Sequence, residues 1–307
     1  MPTVAPQAAL AIRNVLIATD FSPCSQRALL HAVAAAHRFG STLHIVHVLK
    51  PAVFSFCPPE GYMGVPEAES QAMELARDDA EKLMKEVLHR THCEDIKCVT
   101  RVQLGVVGET VCAVIRRDHI DLAVVGTSAR KGLRHMVMGS VAEDIFRHST
   151  CPVLTVGPYS WRSDPQTLRL KHIVFPTDLS DESQRAVPFV KAVAAEFNAN
   201  ITVLHVIRTL SSSAASDRER VLAGIERHMR EMMNAGEGSP SIDFAVQFGD
   251  VVPNVLETAE RTKSDLIVFG LKSPDYYADR LPWMHAYDVV CQARCPVLSL
   301  RAPSDRG

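Results

Sequence analysis

The chain is written twice. Residues 14–26, NVLIATDFSPCSQ, return as residues 172–184, HIVFPTDLSDESQ, at an offset of 158. The same offset holds through Leu43–Val48 (LHIVHV), which matches Ile201–Val206 (ITVLHV). Further along it falls to 144. Gln103-Leu104-Gly105 then matches Gln247-Phe248-Gly249, Asp121–Gly126 matches Asp265–Gly270, and Cys151–Leu154 matches Cys295–Leu298. The first copy therefore carries about fourteen more residues between its second and third apolar runs. Self-similarity on this scale reads as one domain duplicated, each copy long enough to bury a core of its own. It predicts a first domain over 11–157, a linker over 158–171 and a second domain over 172–301.

Within each copy, strand-like and helix-like patterns alternate. Val15–Ala18 is a short apolar run of the buried-strand kind. Ser22-Pro23 follows as cap and first helical residue, and the helix runs to about Arg38 and stops at Gly40. Leu43–Val48 is a second strand, and residues 51–66 form a long loop rich in Pro, Gly and Phe. Met73, Ala76, Ala80, Leu83 and Val87 recur at helical spacing. Cys98–Leu104 is a third strand, and Val111, Val114 and Ile115 give the next helix an apolar face. The second copy repeats the scheme. Val174 and Phe175 lie in a strand, Ser180 caps a helix, Ile242 to Phe248 alternates, and Pro253 begins a further helix. Five strands and four helices per copy, with helices between strands, predict an α/β class with a parallel sheet covered on both faces.

The rest of the composition excludes more than it assigns. A formal charge of −2 lacks the basic bias of a general nucleic-acid binder, so no nucleic-acid partner is expected. The apolar runs are far shorter than the ~18 residues of a membrane span, so no membrane partner is expected either. The opening MPTVAPQAALAIR reads as no secretory leader. Cys24, Cys112 and Cys291, of eight cysteines, fall in helix-like segments and read as thiols in a reducing compartment. The expected location is cytoplasmic.

One stretch holds the candidate site. In DLAVVGTSARKGLRHMVMGSVAEDIFRHSTCPVLTV, residues 121–156, an apolar run stops at Gly126 and a basic loop follows with Arg130, Lys131, Arg134 and His135. Gly139-Ser140 then opens an amphipathic segment. A loop leaving a buried strand is where open α/β sheets bind ligands, and a helix start offers unpartnered N–H groups to phosphate. Ser140 followed by Glu143 also reads as a capping box, which needs no ligand. Asp20 ends a strand before a helix. It reads either as a ligand contact or as an acceptor for nearby backbone N–H groups. Asp178 repeats it.

The second copy departs from the first in this stretch. Gly270 matches Gly126, but Ser273, Trp283 and Met284 stand where Ala129, Gly139 and Ser140 do, and Asp275 and Asp279 add negative charge. These residues fill or repel a triphosphate site, and Tyr276, Tyr277, Trp283 and Met284 either line a pocket for some other small ligand or fill it. There is no P-loop and no residue that must activate water. His89, His92, Cys93 and Cys98 fit no zinc spacing. His47 and His205, matched inside strands, read as satisfied core histidines.

Thr19–Ser22 (TDFS), Thr177–Ser180 (TDLS), MGSVAEDIFRHSTCPVLTV at 138–156 and ARCPVLSL at 293–300, in this order and duplicated, resemble the universal stress protein family in its tandem form. The resemblance covers nearly the whole chain. It implies two Rossmann-like domains (adenine nucleotide alpha hydrolase-like), each with its own five-stranded parallel sheet in the order 3-2-1-4-5, paired through their last strands. In the family's ATP-binding branch a G-x-x-G loop is followed nine residues later by G-S or G-T. Here those positions are Gly126, Ala129, Gly139 and Ser140, so the second glycine is an alanine. By resemblance Asp20 and Val48 would face the adenosine part, and Gly126, Ala129, Gly139 and Ser140 would surround ribose and phosphates, with Arg130 a further candidate. The implied ligand is ATP or a related adenine nucleotide, with Mg2+ as a companion, acting as a regulatory signal with at most slow hydrolysis. The implied partners are an internal pseudo-dimer, a homodimer and an unidentified protein. A different class of function, a nucleotide-independent interaction or chaperone-like module, would use the dimer surfaces and the loop at 51–66.

Overall fold

The computed structural model describes residues 10–50, 66–91, 93–127, 140–160, 168–208, 215–233, 240–271 and 281–301. In the first copy these form β1 (Asn14–Ala18), α1 (Pro23–Phe39), β2 (Thr42–Leu49), α2 (Pro66–Arg90), β3 (Cys98–Leu104), α3 (Val107–Arg117), β4 (Leu122–Gly126), α4 (Ser140–His148) and β5 (Val153–Val156). The second copy supplies β6 (His172–Pro176), α5 (Asp181–Phe197), β7 (Asn200–Ile207), α6 (Ala215–Met232), β8 (Ile242–Phe248), α7 (Val251–Arg261), β9 (Leu266–Leu271), α8 (Leu281–Gln292) and β10 (Val297–Arg301). α7 begins two residues ahead of Pro253. Residues 51–65 and 161–167, which hold most of the Pro/Gly/Phe loop and half of the expected linker, lie outside the described residues.

The strands make one sheet of ten, in the order β3-β2-β1-β4-β5-β10-β9-β6-β7-β8. This corrects the expectation of two Rossmann-like domains with a separate five-stranded parallel sheet each. Within a copy the strands are parallel, but β5 and β10 meet antiparallel, so the sheet is continuous and mixed. The physical reason is the character of those two edges. All four residues of β5 are buried in the joined sheet, where its outward N–H and C=O groups pair with β10. An open edge there would leave them unpaired. The equivalent edge of the other copy carries the same apolar pattern and supplies the partners.

Leu154 and Leu298, the same residue in the two copies, sit opposite each other in that ladder. A pseudo-twofold axis therefore passes between them. Phe39 and its counterpart Phe197 meet edge to face across the same axis, with ring centroids 6.1 Å apart. Beside them Arg38 pairs with its counterpart Glu196 at 2.8 Å. The two cores are continuous as well. One face of the sheet packs Leu29, Val33, Leu154, Val190, Val193 and Leu298 into a single cluster. The other packs Ile145, Phe146 and Val153 with Val289, Val290 and Val297.

The repeat extends to the backbone. Phe21 and Leu179 both hold left-handed φ, as do Gly40 and Asn198 at the ends of α1 and α5, and His119 and Lys263 before β4 and β9. The axis is not perfect, however. Arg301 reaches from the second copy to the carbonyl of Phe146 near the end of α4, with Nε at 3.2 Å and a terminal nitrogen at 2.6 Å. At the equivalent place in the first copy stands Gly157, where a Cβ would lie 2.5 Å from the carbonyl oxygen of Val290. One side of the junction is closed by a side chain and the other by direct backbone approach.

Candidate functional site

Thr-Asp-X-Ser, present in both copies, turns the chain from the first strand into the first helix, and its geometry explains each residue. Thr19 Oγ1 accepts the N–H of Phe21 at 3.0 Å, and Asp20 Oδ1 accepts the N–H of Ser22 at 3.0 Å. Those bonds hold Phe21 at a φ of 61, a conformation that costs a non-glycine residue roughly 1–2 kcal/mol. Ser22 then caps α1 by accepting from Ser25 N at 3.3 Å. The second copy repeats all three bonds at Thr177, Asp178 and Ser180. The turn is thus a structural device in both halves, and the reading of Asp20 as an acceptor for backbone N–H is met.

The hydroxyls around the two aspartates are arranged differently. Asp178 Oδ1 also accepts the hydroxyls of Ser180 and Ser183. In the first copy Ser25 Oγ donates to the Ser22 carbonyl at 3.0 Å and receives Thr19 Oγ1 at 3.1 Å. Partial burial pushes both carboxyls up. The serine hydroxyls and the Ser22 or Ser180 N–H outweigh it and hold both below the usual carboxylate value. A depressed folded-state pKa means that the stabilisation is complete above about pH 4 and is lost as pH falls through the folded value. Asp178→Asn is therefore expected to flatten the acid limb of the stability curve below about pH 4, read by chemical denaturation at a series of pH values. An unchanged limb would mean the turn carries no such linkage.

Val48 is buried near the end of β2, and the adjacent His47 donates from Nδ1 to the Thr19 carbonyl at 2.8 Å. A carbonyl only accepts, so Nδ1 carries the proton. His205 makes the same bond to Thr177 at 2.9 Å. Phe21 packs on the His47 ring, with centroids 4.6 Å apart. These histidines brace the turn in both copies.

Gly126 ends β4. A Cβ there would lie 2.5 Å from the oxygen and 2.7 Å from the carbon of the Cys24 carbonyl, and 3.0 Å from Ser25 N. Gly270 presses in the same way on α5, 2.8 Å from the Glu182 oxygen. Both glycines are required by the approach of the first helix, so their presence does not depend on a ligand. Ser140 is the first residue of α4. Ala129, Arg130 and Gly139 lie outside the described residues, as do Lys131, Arg134 and His135.

The structure brings Asp20, Val48, Gly126 and the residue after it to the same end of the sheet, at the carboxyl ends of β1, β2 and β4. That next residue, Thr127, was not singled out in the sequence. Its side chain is buried and its Oγ1 has no hydrogen-bond partner among the described residues. Its counterpart in the second copy is Leu271, also buried. A polar residue in one copy replaced by an apolar one in the other was the available signal.

Other residues prove structural. Asp121 Oδ2 accepts the N–H groups of Arg13 and Asn14 at 2.8 and 2.9 Å, and Asp265 does the same for Lys171 and His172. Asp118 pairs with Arg101 and Arg117, each at 2.9 Å. Cys93 is buried, and burial together with the Cys93 thiol pushes Cys98 up to about 11. His92 lies outside the described residues. Among the described residues no three His, Cys, Asp or Glu side chains converge as metal ligands, and no described helix is long and apolar enough to cross a membrane.

Comparison with known proteins agrees on one family. A protein from Methanocaldococcus jannaschii, named universal stress protein MJ0531, is 28% identical over 144 residues, covering 47% of this chain and 81% of that one. A putative universal stress protein from Staphylococcus aureus strain USA300 is 31% identical over 148 residues, covering 47% of this chain and 83% of its own. The crystal structure of a universal stress protein from Archaeoglobus fulgidus matches 94% of this chain and 98% of its own with a TM-score of 0.66 at 16% identity, which shows a shared fold. The model of the Universal stress protein family matches residues 11–157 and again 169–301, so the chain belongs to that family as a tandem, two-copy member.

Proposed function

We propose that the first copy holds ATP or a related adenine nucleotide as a regulatory ligand, in a cytoplasmic stress-response protein. The observation that carries this reading is the orphaned hydroxyl of Thr127. A buried hydroxyl without a partner costs about 1–3 kcal/mol, and native structures keep few of them. Thr127 Oγ1 sits beside Gly126, at the start of the basic stretch, where a polar ligand would satisfy it. Asp20 supplies an exposed carboxylate and Val48 an apolar wall. The N-terminus of α4 at Ser140 supplies N–H groups for phosphate, and Ala129, Arg130 and Gly139 belong to the segment between. Mg2+, where it accompanies the nucleotide, balances phosphate charge.

No catalytic residue is assigned, and turnover in this reading is at most slow. The nucleotide instead acts by linkage. A ligand at a hundred times its Kd stabilises the form that binds it by about 2.7 kcal/mol, enough to shift a conformational or partner equilibrium.

Thr127→Val tests the central observation, because it replaces an unsatisfied hydroxyl by a methyl group of similar shape. The variant is expected to gain about 1 kcal/mol of stability while losing roughly tenfold in nucleotide affinity, the equivalent of one hydrogen bond. Calorimetric titration of nucleotide-stripped protein with ATP and magnesium gives the affinity, and chemical denaturation gives the stability. One site per chain is expected, absent in Gly139→Trp, which copies the second half. No binding at millimolar ATP would sink this reading and leave the interaction module as the better account.

A further inference from the structure

The corresponding cleft of the second copy is a different site. It opens at the carboxyl ends of β6, β7 and β9, has a volume of about 260 Å³ and is lined in part by Asp178, Leu204, Arg208, Phe269, Leu271 and His285. Five of its lining positions carry larger side chains than the matching positions of the first copy. Ala18 becomes Pro176, Val46 becomes Leu204, Val125 becomes Phe269, Thr127 becomes Leu271 and Val141 becomes His285. Each change adds side-chain volume, and the Thr-to-Leu change removes the hydroxyl that the first copy leaves unsatisfied. Leu204, Phe269 and Leu271 are all buried and make an apolar floor. The volume falls just below the ~300 Å³ at which clefts for drug-sized ligands begin.

Among the described lining residues the full charges are those of Asp178 and Arg208. All three hydrogen bonds that Asp178 accepts fall on Oδ1, so among the described residues Oδ2 has no donor. Arg208, just past β7, forms no ion pair among the described residues. His205 is tied to the Thr177 carbonyl through Nδ1. Burial first, and then the Arg208 cation, push His285 below the usual imidazole value, against the pull of Asp288. Among the described residues the cleft thus offers one carboxylate, one guanidinium, two imidazoles and an apolar floor, with no excess of positive charge for a polyphosphate.

We propose that this second cleft binds a small zwitterion of amino-acid size. Its ammonium group meets the free oxygen of Asp178, its carboxylate meets Arg208, and its apolar side chain lies on Leu204, Phe269 and Leu271. An ammonium on a carboxylate and a carboxylate on a guanidinium are charge-assisted hydrogen bonds, the stronger kind. A ligand with only one of the two groups leaves the opposite protein charge unmatched.

The test is calorimetric titration of the full chain with leucine and phenylalanine. Isopentylamine, which lacks the carboxylate, 4-methylpentanoate, which lacks the ammonium, and adenosine serve as probes of the same cleft. One site per chain is expected for the amino acids, with each half-analogue at least tenfold weaker. Arg208 is exposed, so Arg208→Gln leaves the fold intact and reduces leucine to the affinity of the amine. Asp178→Asn is a second variant, read beside Arg208→Gln because Asp178 also holds its turn. Thr127→Val leaves leucine binding unchanged, and Arg208→Gln leaves ATP binding unchanged, so failure here is separable from failure of the nucleotide reading. No heat with either amino acid at millimolar concentration overturns the proposal. So does leucine binding indifferent to Arg208→Gln, or adenosine binding in its place.

Discussion

Leu298→Asp is expected to lower the melting temperature by about 10 °C, through a loss of roughly 5 kcal/mol. Leu298 is 4% exposed and lies on the pseudo-twofold axis opposite Leu154, in the ladder that joins the two halves of the sheet. An aspartate there buries an unpaired carboxylate and removes a leucine from a core that runs across the junction. Because both cores are continuous, the wild-type chain is expected to melt in one calorimetric transition and the variant in two. Val221→Asp is the control. Val221 is 40% exposed on α6, and a surface change of that kind stays within about 0.5 kcal/mol. A variant Leu298→Asp that melts within about 2 °C of wild type would show that the halves are held together elsewhere.

Gly126→Val carries the second large effect. The nearest atoms to a Cβ at Gly126 are all backbone, the carbonyl oxygen and carbon of Cys24 and the nitrogen of Ser25, at 2.5, 2.7 and 3.0 Å. No side-chain rotation relieves them, so α1 must move away from β4. The expected cost is about 3 kcal/mol, at the upper end of the overpacking range. α1 also begins at the turn carrying Asp20, so nucleotide affinity falls with it. Gly270→Val is expected to cost less, because its contacts start at 2.8 Å and include the side chain of Ala186. Urea denaturation of both variants measures the difference. Equal and small losses would remove the steric account of these glycines. The comparison also guards the functional assignment, since a loss of ATP binding in a Gly126 variant reports packing as much as contact with ligand.

Much of the architecture was legible because it was written twice. The strand and helix patterns, the Ser22 and Ser180 caps and the stop at Gly40 rest on local rules of spacing and capping, which act within a few residues. The sheet's continuity was not legible in the same way. The apolar run of β5 says that its edge needs cover, and it is silent on whether that cover makes one sheet or leaves two. That depends on contacts between residues 144 apart, such as Leu154 and Leu298.

The candidate site was legible in part. Asp20 and Gly126 stood out, but their repeats at Asp178 and Gly270 show that the turn and the helix approach suffice to explain both residue types. Thr127 did not stand out, because a threonine after a strand is ordinary until its hydroxyl is known to be buried without a partner among the described residues. Its replacement by Leu271 was visible from the alignment of the copies, and its meaning required the structure.

The pairing of Arg38 with Glu196 has a consequence for how such a chain can diverge. In a dimer of identical chains, a residue beside the twofold axis faces its own copy, and every substitution there is made twice. An arginine at this position would then face an arginine. Here the two sides are encoded separately, so opposite charges occupy equivalent places, and an arginine closes one side of the junction where a glycine closes the other. Joining the copies also makes their association independent of dilution, since each half meets its partner at the effective concentration set by the chain that links them. A substitution in one cleft is therefore made once, and the two clefts can diverge separately, as Thr127 and Leu271 have.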